Sequence, residues 1–582
     1  MILTIFLLIN VSCSEDWLKP DPLSFFAPEN VFVDQAGFES ALAKCKKEIN
    51  YENQGYIHFI ACETAYSDLA VPLRQSDFTR NTPSTSLRQP ILKFFDDAYG
   101  FIKNANTIVT RIDDIEWDIQ SERNKILSEA LWFRSYWYYR LVTTYGDIPW
   151  VGEELRGAKL DYYSTSRWTI LRKLAEDLEF CVQNLPVSPA RGGDVTRGAA
   201  NHLLAKVYLA LTEFDKALTA TTAVINGPYA LMTERFGSDI DKSWHNLIWD
   251  LHRAENKSIS TNTEAIYNSI HRAEAPPGTW VADRGYSMRL FTPSYWKVLD
   301  SEGARATNWN LPGSDTLGIG NGDVRTNHFY NYWLWNCDEY TWETTPDLRR
   351  ATTNWIEMGD SIAEIITARP GSPNLGEPLT KRFYGSLADT TDTWYPWPFH
   401  KLFVPTPHHH QPHGGQADWY VFRLAETYLL RAEAYYWKGE TGLAAEDINK
   451  VRARANAPLI AGADVTIDYI FDERARELYA EEPRQSEMVR VSYIMAQLNR
   501  DGYSVATLHE KNWYHDRVMR VNPFYSEPRY RFWDATATMH PNHYLWPIPQ
   551  SVITANTLGV INQNLGYDGD HLNVPPLETV ED

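Results

Sequence analysis

The sequence predicts a mainly α-helical protein, a tetratricopeptide-repeat-like scaffold of helix pairs interrupted by a loop-rich ligand-binding insertion. Three observations predict it. First, Tyr208, Ala217 and Val224 recur as Tyr435, Ala444 and Val451, with alanine nine and valine sixteen residues after the tyrosine in both places. Small residues at that spacing let two helices approach closely while the aromatic ring fills the neighbouring groove. Second, residues 121–146 carry a long helical period. Third, residues 227–417 lose that period and become rich in proline, glycine and tryptophan.

Taken in order, Met1 to Ile9 reads MILTIFLLI. That run is far short of the roughly 20 apolar residues a spanning helix needs, and it matches the apolar region of a secretory signal. Asn10-Val11-Ser12-Cys13 follows. Small residues before a cysteine resemble a bacterial lipobox, so residues 1–12 are read as a signal peptide and Cys13 as the lipidation site. The alternative is an ordinary cleaved signal with a fortuitous cysteine. Residues 13–582 are read as one domain. In the 121–146 helix, Leu127, Leu131, Tyr138, Leu141, Val142 and Tyr145 fall on one face, which predicts an amphipathic element. Gly146 stops it and Pro149 prevents its resumption. Segments 121–145 and 167–185 form a degenerate pair, and 197–226 a clearer one. The scaffold spans about 90–226 and 418–500, with the insertion at 227–417 and a covering segment at 501–582.

Composition narrows the function. The chain of 582 residues carries a formal charge of −20, which repels phosphate backbones and argues against a nucleic-acid partner. It holds 22 Trp, and ten of them lie between Trp280 and Trp419. Trp is seldom fully buried, so such a surplus predicts partly exposed rings that bind something. Of five cysteines, Cys45, Cys62, Cys181 and Cys337 remain once Cys13 is set aside, and free thiols are favoured over disulfides. No Cys/His spacing suggests zinc. The run His408-His409-His410 with His413 lies among prolines with no acidic ligand near, and reads as a loop. GIGNGD, ending at Asp323, lacks the lysine and strand–helix context of a nucleotide loop. No catalytic residue, cofactor or metal site is assigned.

Five separated motifs share a resemblance. Arg431-Ala432-Glu433-Ala434-Tyr435, with Ala444 and Asn449 to Ala455, resembles the RAEAY…A…NxVRxRA helix pair of the SusD/RagB family. Glu473-Arg474 with Glu477-Leu478, Glu481 and Arg484 resembles its ERxxELxxEGxRW helix, with Glu482 and Gln485 replacing the usual Gly and Trp. Tyr145 to Pro149 is similar to its YGDIP turn. Trp546 to Pro549, Asn556 and Gln563 to Tyr567 resemble its PIP…N…QNPGY, with Leu565 in place of Pro. Trp17-Leu18 with Asp21-Pro22-Leu23 resembles the segment after its lipid-bearing cysteine. Glu473 and Glu477 sit one turn apart and are expected to face Arg452, Arg454 or Arg484 across a helix interface, which makes them structural.

The resemblance implies a non-catalytic, surface-exposed outer-membrane lipoprotein that is lipid-anchored, binds oligosaccharide or polysaccharide, and delivers it to a TonB-dependent transporter of the SusC type. Peptide binding within the same transport class is the alternative; a helical glycoside hydrolase or a protein-only adaptor is a more distant one. The apolar face of a pyranose stacks on an exposed ring, so Trp280, Trp309, Trp333, Trp335, Trp394 and Trp397 are candidate ligand contacts. Trp333 and Trp335 would share a face if their segment were a strand. Asp77, Arg80 and Asn81, in RQSDFTRN, are candidate partners for sugar hydroxyls.

Overall fold

The computed structural model describes residues 28–54, 59–72, 90–190, 192–271, 287–307, 317, 320–337, 339–357, 361–367, 369–380, 395–404, 417–527 and 539–580. Helices of seven or more residues are labelled in chain order. These are α1 (Gln35–Glu48), α2 (Phe59–Ala65), α3 (Pro90–Arg111), α4 (Gln120–Tyr145), α5 (Arg167–Asn184), α6 (Arg197–Ala210) and α7 (Phe214–Ile225), then α8 (Leu424–Trp437), α9 (Thr441–Arg454), α10 (Ile467–Leu478), α11 (Arg484–Gln497) and α12 (Trp513–Val521). From α3 to α9 each helix packs against the next, including α7 against α8 across the whole insertion. The repeats therefore stack as one continuous body.

The tyrosine–alanine spacing works through the turn it flanks. The Glu213 N–H donates to the Tyr208 carbonyl at 2.8 Å, and the Glu440 N–H to the Tyr435 carbonyl at 2.9 Å. Thr212 and Gly439, at φ +60° and +81°, make the same reversal in the two copies. Ala205, Ala217, Ala432 and Ala444 are fully buried where the paired helices meet. A larger side chain there would separate the helices.

The α4 helix departs from its predicted amphipathic form. Every residue from Ser128 to Tyr145 is buried. The reason is tertiary: α1, α3, α5 and α11 surround it. Its polar residues are paired inside the core. Arg140 donates to Glu52 at 2.6 Å and to Glu63 at 2.8 Å, and Arg134 donates to Asp177 at 2.5 Å. Gly146 ends the helix at φ +74°, where its N–H meets the Val142 carbonyl. Asp147 then accepts the Arg167 backbone N–H at 2.8 Å, which starts α5. The covering segment closes over this corner. The Trp546 N–H donates to the Thr144 carbonyl at 2.9 Å, and the Asn564 amide donates to the carbonyls of Tyr145 and Trp546 at 3.0 and 2.7 Å.

The insertion leaves and rejoins the repeats through one antiparallel pair, β2 (Ala265–Ser269) with β6 (Trp419–Arg423). Tyr267 and Phe422 from this neck pack on Trp132 of α4. Two further pairs are β1 (Ala70–Pro72) with β3 (Val324–Thr326) and β4 (Ser361–Ile366) with β5 (Pro378–Thr380). The insertion builds its own core from Leu290, Phe291, Trp335, Trp355 and Trp397, docked on Tyr479 beyond α10. Gly320 leaves no room for a side chain: a Cβ there would lie 1.8 Å from the Pro293 carbonyl oxygen.

Buried ions join the two bodies. Glu473 accepts from Arg349 at 2.8 Å and Arg452 at 2.6 Å. Glu477 accepts from Arg349 at 3.0 Å, from Arg423 at 2.5 Å and also from Arg454. Burial opposes ionisation of both carboxyls, but these guanidinium groups hold them well below the usual carboxylate range. Arg452 and Arg454 are thus partners as expected. Arg484 is not: it pairs with Asp68 and Glu482 instead. Cys45, Cys62 and Cys181 are buried free thiols, and Cys337 is half-buried.

Candidate functional site

The β1·β3 ladder gathers the ends of several chain segments. Pro72, the last residue of β1, pairs with Val324 and leads into residues 73–89. The Thr326 hydroxyl of β3 donates to the Pro396 carbonyl at 3.1 Å, just after residues 381–394. The Tyr395 hydroxyl donates to the Phe291 carbonyl at 2.9 Å, near where the chain returns from residues 272–286. The Asn321 N–H donates to the Arg289 carbonyl at 2.7 Å, tying in the return from residues 308–316. The covalent roots of the segments carrying Asp77, Arg80, Asn81, Trp280, Trp309 and Trp394 are therefore joined by hydrogen bonds. Those six residues themselves lie outside the described residues, as do Cys13 and the His408–His413 run.

The remaining three candidates separate. Trp397 is fully buried, and its backbone bridges Ile356 in both directions at 3.2 and 3.3 Å. Trp335 is 3% exposed, and its indole N–H donates to the Tyr330 carbonyl at 2.7 Å. Neither ring offers a face to solvent, so both are core residues here and not platforms. Trp333 is 39% exposed. Residues Trp333–Trp335 form a 3₁₀ turn and not a strand. In a 3₁₀ turn of three residues per turn, positions two apart point about 120° apart, which splits the two rings between surface and core.

Trp333 belongs to an aromatic patch that sequence reading missed in part. Asn327 caps the short helix His328–Asn331 by accepting the Tyr330 N–H at 2.9 Å. That turn sets His328 against Tyr332 at 4.6 Å and against Trp333 at 5.1 Å between ring centroids. Tyr332 meets Trp342 edge to face at 5.0 Å. The Asn336 side chain accepts the Trp342 N–H at 2.8 Å and holds the 336–342 loop. Behind the patch, the Arg350 guanidinium lies 4.9 Å from the Trp342 ring and 4.3 Å from the Trp355 ring, and pairs with Glu357 at 2.6 Å. Burial lowers the Arg350 pKa, and Glu357 opposes that shift. Burial raises the Tyr332 hydroxyl, which stays a neutral donor. Asn336, Glu339 and Glu343, in the chain between and beside these rings, are exposed.

Chemically, this is a half-buried aromatic surface with amide, hydroxyl and carboxylate groups at its rim. It suits a flat ligand with one apolar face and many hydroxyls. Trp342 carried the same signal as the chosen rings, an aromatic between polar residues in TWETT, and Tyr332 carried it in NYW. Among the described residues, no group of three or more histidine, cysteine and acidic side chains is placed to hold a metal ion.

Known proteins share this architecture. Residues 323–567 match the family described as SusD family, and residues 20–209 match the family described as starch-binding associating with outer membrane. SusD-like protein P25 of Formosa agariphila is 21% identical over 593 residues, covering 96% of each chain. Starch-binding protein SusD of Bacteroides thetaiotaomicron is 49% identical over 70 residues, 12% of each chain. A SusD-like protein of Bacteroides fragilis superposes with a TM-score of 0.63 at 16% identity, covering 96% of this chain and 100% of that one. A laminarin binding SusD-like protein superposes at 0.61 with 19% identity, over 92% and 100%. With one family match at each end of the chain, a relative aligned along nearly its whole length and a common helical fold, this chain belongs to the SusD/RagB family.

Proposed function

We propose that the protein is a non-catalytic glycan-binding lipoprotein of the outer membrane. It captures oligosaccharide or polysaccharide at the Trp333 patch, and passes it to a TonB-dependent transporter of the SusC type. The observation that carries this reading is the Trp333–Tyr332–Trp342 patch, with Trp333 exposed and the other two rings half-buried beside polar groups, in a member of this family. The printed names of relatives, among them a starch-binding and a laminarin binding protein, support a glycan over a peptide. The family description naming the outer membrane supports the location.

Stacking of one sugar on one indole is worth about 1 kcal/mol, or roughly five- to tenfold in affinity. Native affinity electrophoresis through starch, laminarin, xyloglucan and mannan tests the reading. Retardation by at least one polysaccharide is expected, with Trp333→Ala weakening it about fivefold. Retardation by none of the four, with no binding of short glycans by calorimetry, would overturn the glycan reading.

A further inference from the structure

Trp244 is 63% exposed, more than Trp333, and no part of the site described above uses it. An indole left in water forgoes roughly 2 kcal/mol of burial, so a ring fixed in that position calls for a reason. The ring is fixed. It rests on His245 at 3.7 Å between centroids, and His245 lies on Trp249 at 3.8 Å with the planes 7° apart. Trp249 is anchored through its indole N–H to Asp239 at 2.9 Å. His245 is buried, and burial lowers its pKa to about 4, so the ring beneath Trp244 carries no charge at neutral pH.

The loop that presents this stack is held from below by one side chain. The Arg235 guanidinium donates to the carbonyls of Asp239, Lys242 and His245 at 2.5, 3.1 and 2.7 Å, and pairs with the Asp250 carboxylate. Asp239 also pairs with Lys242 at 3.0 Å and Arg253 at 3.2 Å. A loop clamped at three carbonyls loses little entropy when a ligand settles on it. Asp241, Lys242 and Ser243, the three residues before the indole, are exposed polar residues.

We propose that Trp244 is a second carbohydrate-stacking site, which takes one pyranose of a long glycan while the Trp333 patch takes another. The inference rests on the glycan reading above. Asn246, beside the stack, donates to the Leu348 carbonyl at 3.3 Å and accepts from Asn354 at 3.2 Å. Both partners flank Arg350, which backs Trp342, so the two aromatic platforms stand on connected chain. Two weak platforms on one polymer multiply their effect through local concentration, and a short oligosaccharide that reaches only one gains nothing from the other. Ile240 is also exposed in this loop, and a protein docking there is the competing occupant.

The test uses the full chain, with Trp244→Ala, Trp244→Tyr, Trp333→Ala and the double variant, in affinity gels of starch, laminarin, xyloglucan and mannan. The expected result is an about fivefold weakening on the retarding polysaccharide for Trp244→Ala, partial recovery for Trp244→Tyr, and a larger loss in the double variant. Unchanged melting temperatures confirm that the variants fold. If Trp333→Ala weakens binding and Trp244→Ala does not, this inference fails and the function stands. If only Trp244→Ala weakens binding, the Trp333 assignment fails, and the two-platform inference fails with it. If the wild-type chain is retarded by no polysaccharide, both fail.

Discussion

Asp68 shows how much a single buried charge decides. It is fully buried and accepts from Arg484 at 2.9 and 2.8 Å and from Arg517 at 2.7 Å. Burial alone would raise its pKa, but the two guanidinium groups bring it down to about 2. The folded value lies below the unfolded one, so the stabilisation is full above about pH 4 and is lost as the pH falls through about 2. The shift corresponds to about 2 kcal/mol. Asp68→Asn keeps the shape and removes the charge, leaving two buried guanidinium groups short of a partner. Urea denaturation is expected to show a loss of about 3–5 kcal/mol at pH 7 and a flatter dependence of stability between pH 4 and pH 2. Equal acid sensitivity in the variant and the wild type would remove Asp68 from that role. None of this was legible in the sequence, where Asp68 is one acidic residue among 75.

At the scale of the element, the tightest constraint is the end of α4. Gly146 sits at φ +74°, and a Cβ there would meet the Leu545 Cδ1 at 2.9 Å. Gly146→Ala therefore combines backbone strain with displacement of the covering segment. A loss of about 1–2 kcal/mol is expected by thermal denaturation, with faster hydrogen exchange in residues 541–567 than in α6 and α7. This element was half legible. The glycine stop could be read because helix termination is local chemistry. The amphipathic reading of α4 failed because its second face is covered by α1 and α11, and Glu129, Arg134 and Arg140 look like surface residues until their partners are known. The condition that Trp333 and Trp335 lie on a strand is not met for a similar reason: they lie on a 3₁₀ turn. Two tryptophans two apart carry a strand period, but the segment follows directly on the short helix capped by Asn327 and continues it as a 3₁₀ turn.

For the whole molecule, the buried ion network makes the insertion and the repeats interdependent. Arg349, from the insertion, lies between Glu473 and Glu477 of α10, and Lys401 pairs with Glu481. Removing one side of such a network leaves uncompensated charge in the core. At the other end of the chain, Cys13 is proposed as the acylated residue. Two or three acyl chains hold a protein firmly to a bilayer, whereas one holds it weakly. Cys13→Ala is expected to move the protein from the membrane fraction to the soluble fraction. Unchanged fractionation, with no change in apparent mass, would count against lipidation.

The repeats and the family motifs could be read from the chain because they depend on local spacing: a tyrosine, an alanine and a valine at fixed separations, a glycine after a helix, a proline pair in an extended stretch. Those features recur wherever the same short-range packing is needed. Which tryptophans face solvent could not be read, because nothing in the immediate sequence around Trp397, Trp335, Trp333 and Trp244 ranks them by exposure. Their exposures run from 0% to 63% because residues far along the chain cover some and not others. Exposure is set by contacts between distant segments, and only the tertiary structure brings those segments together.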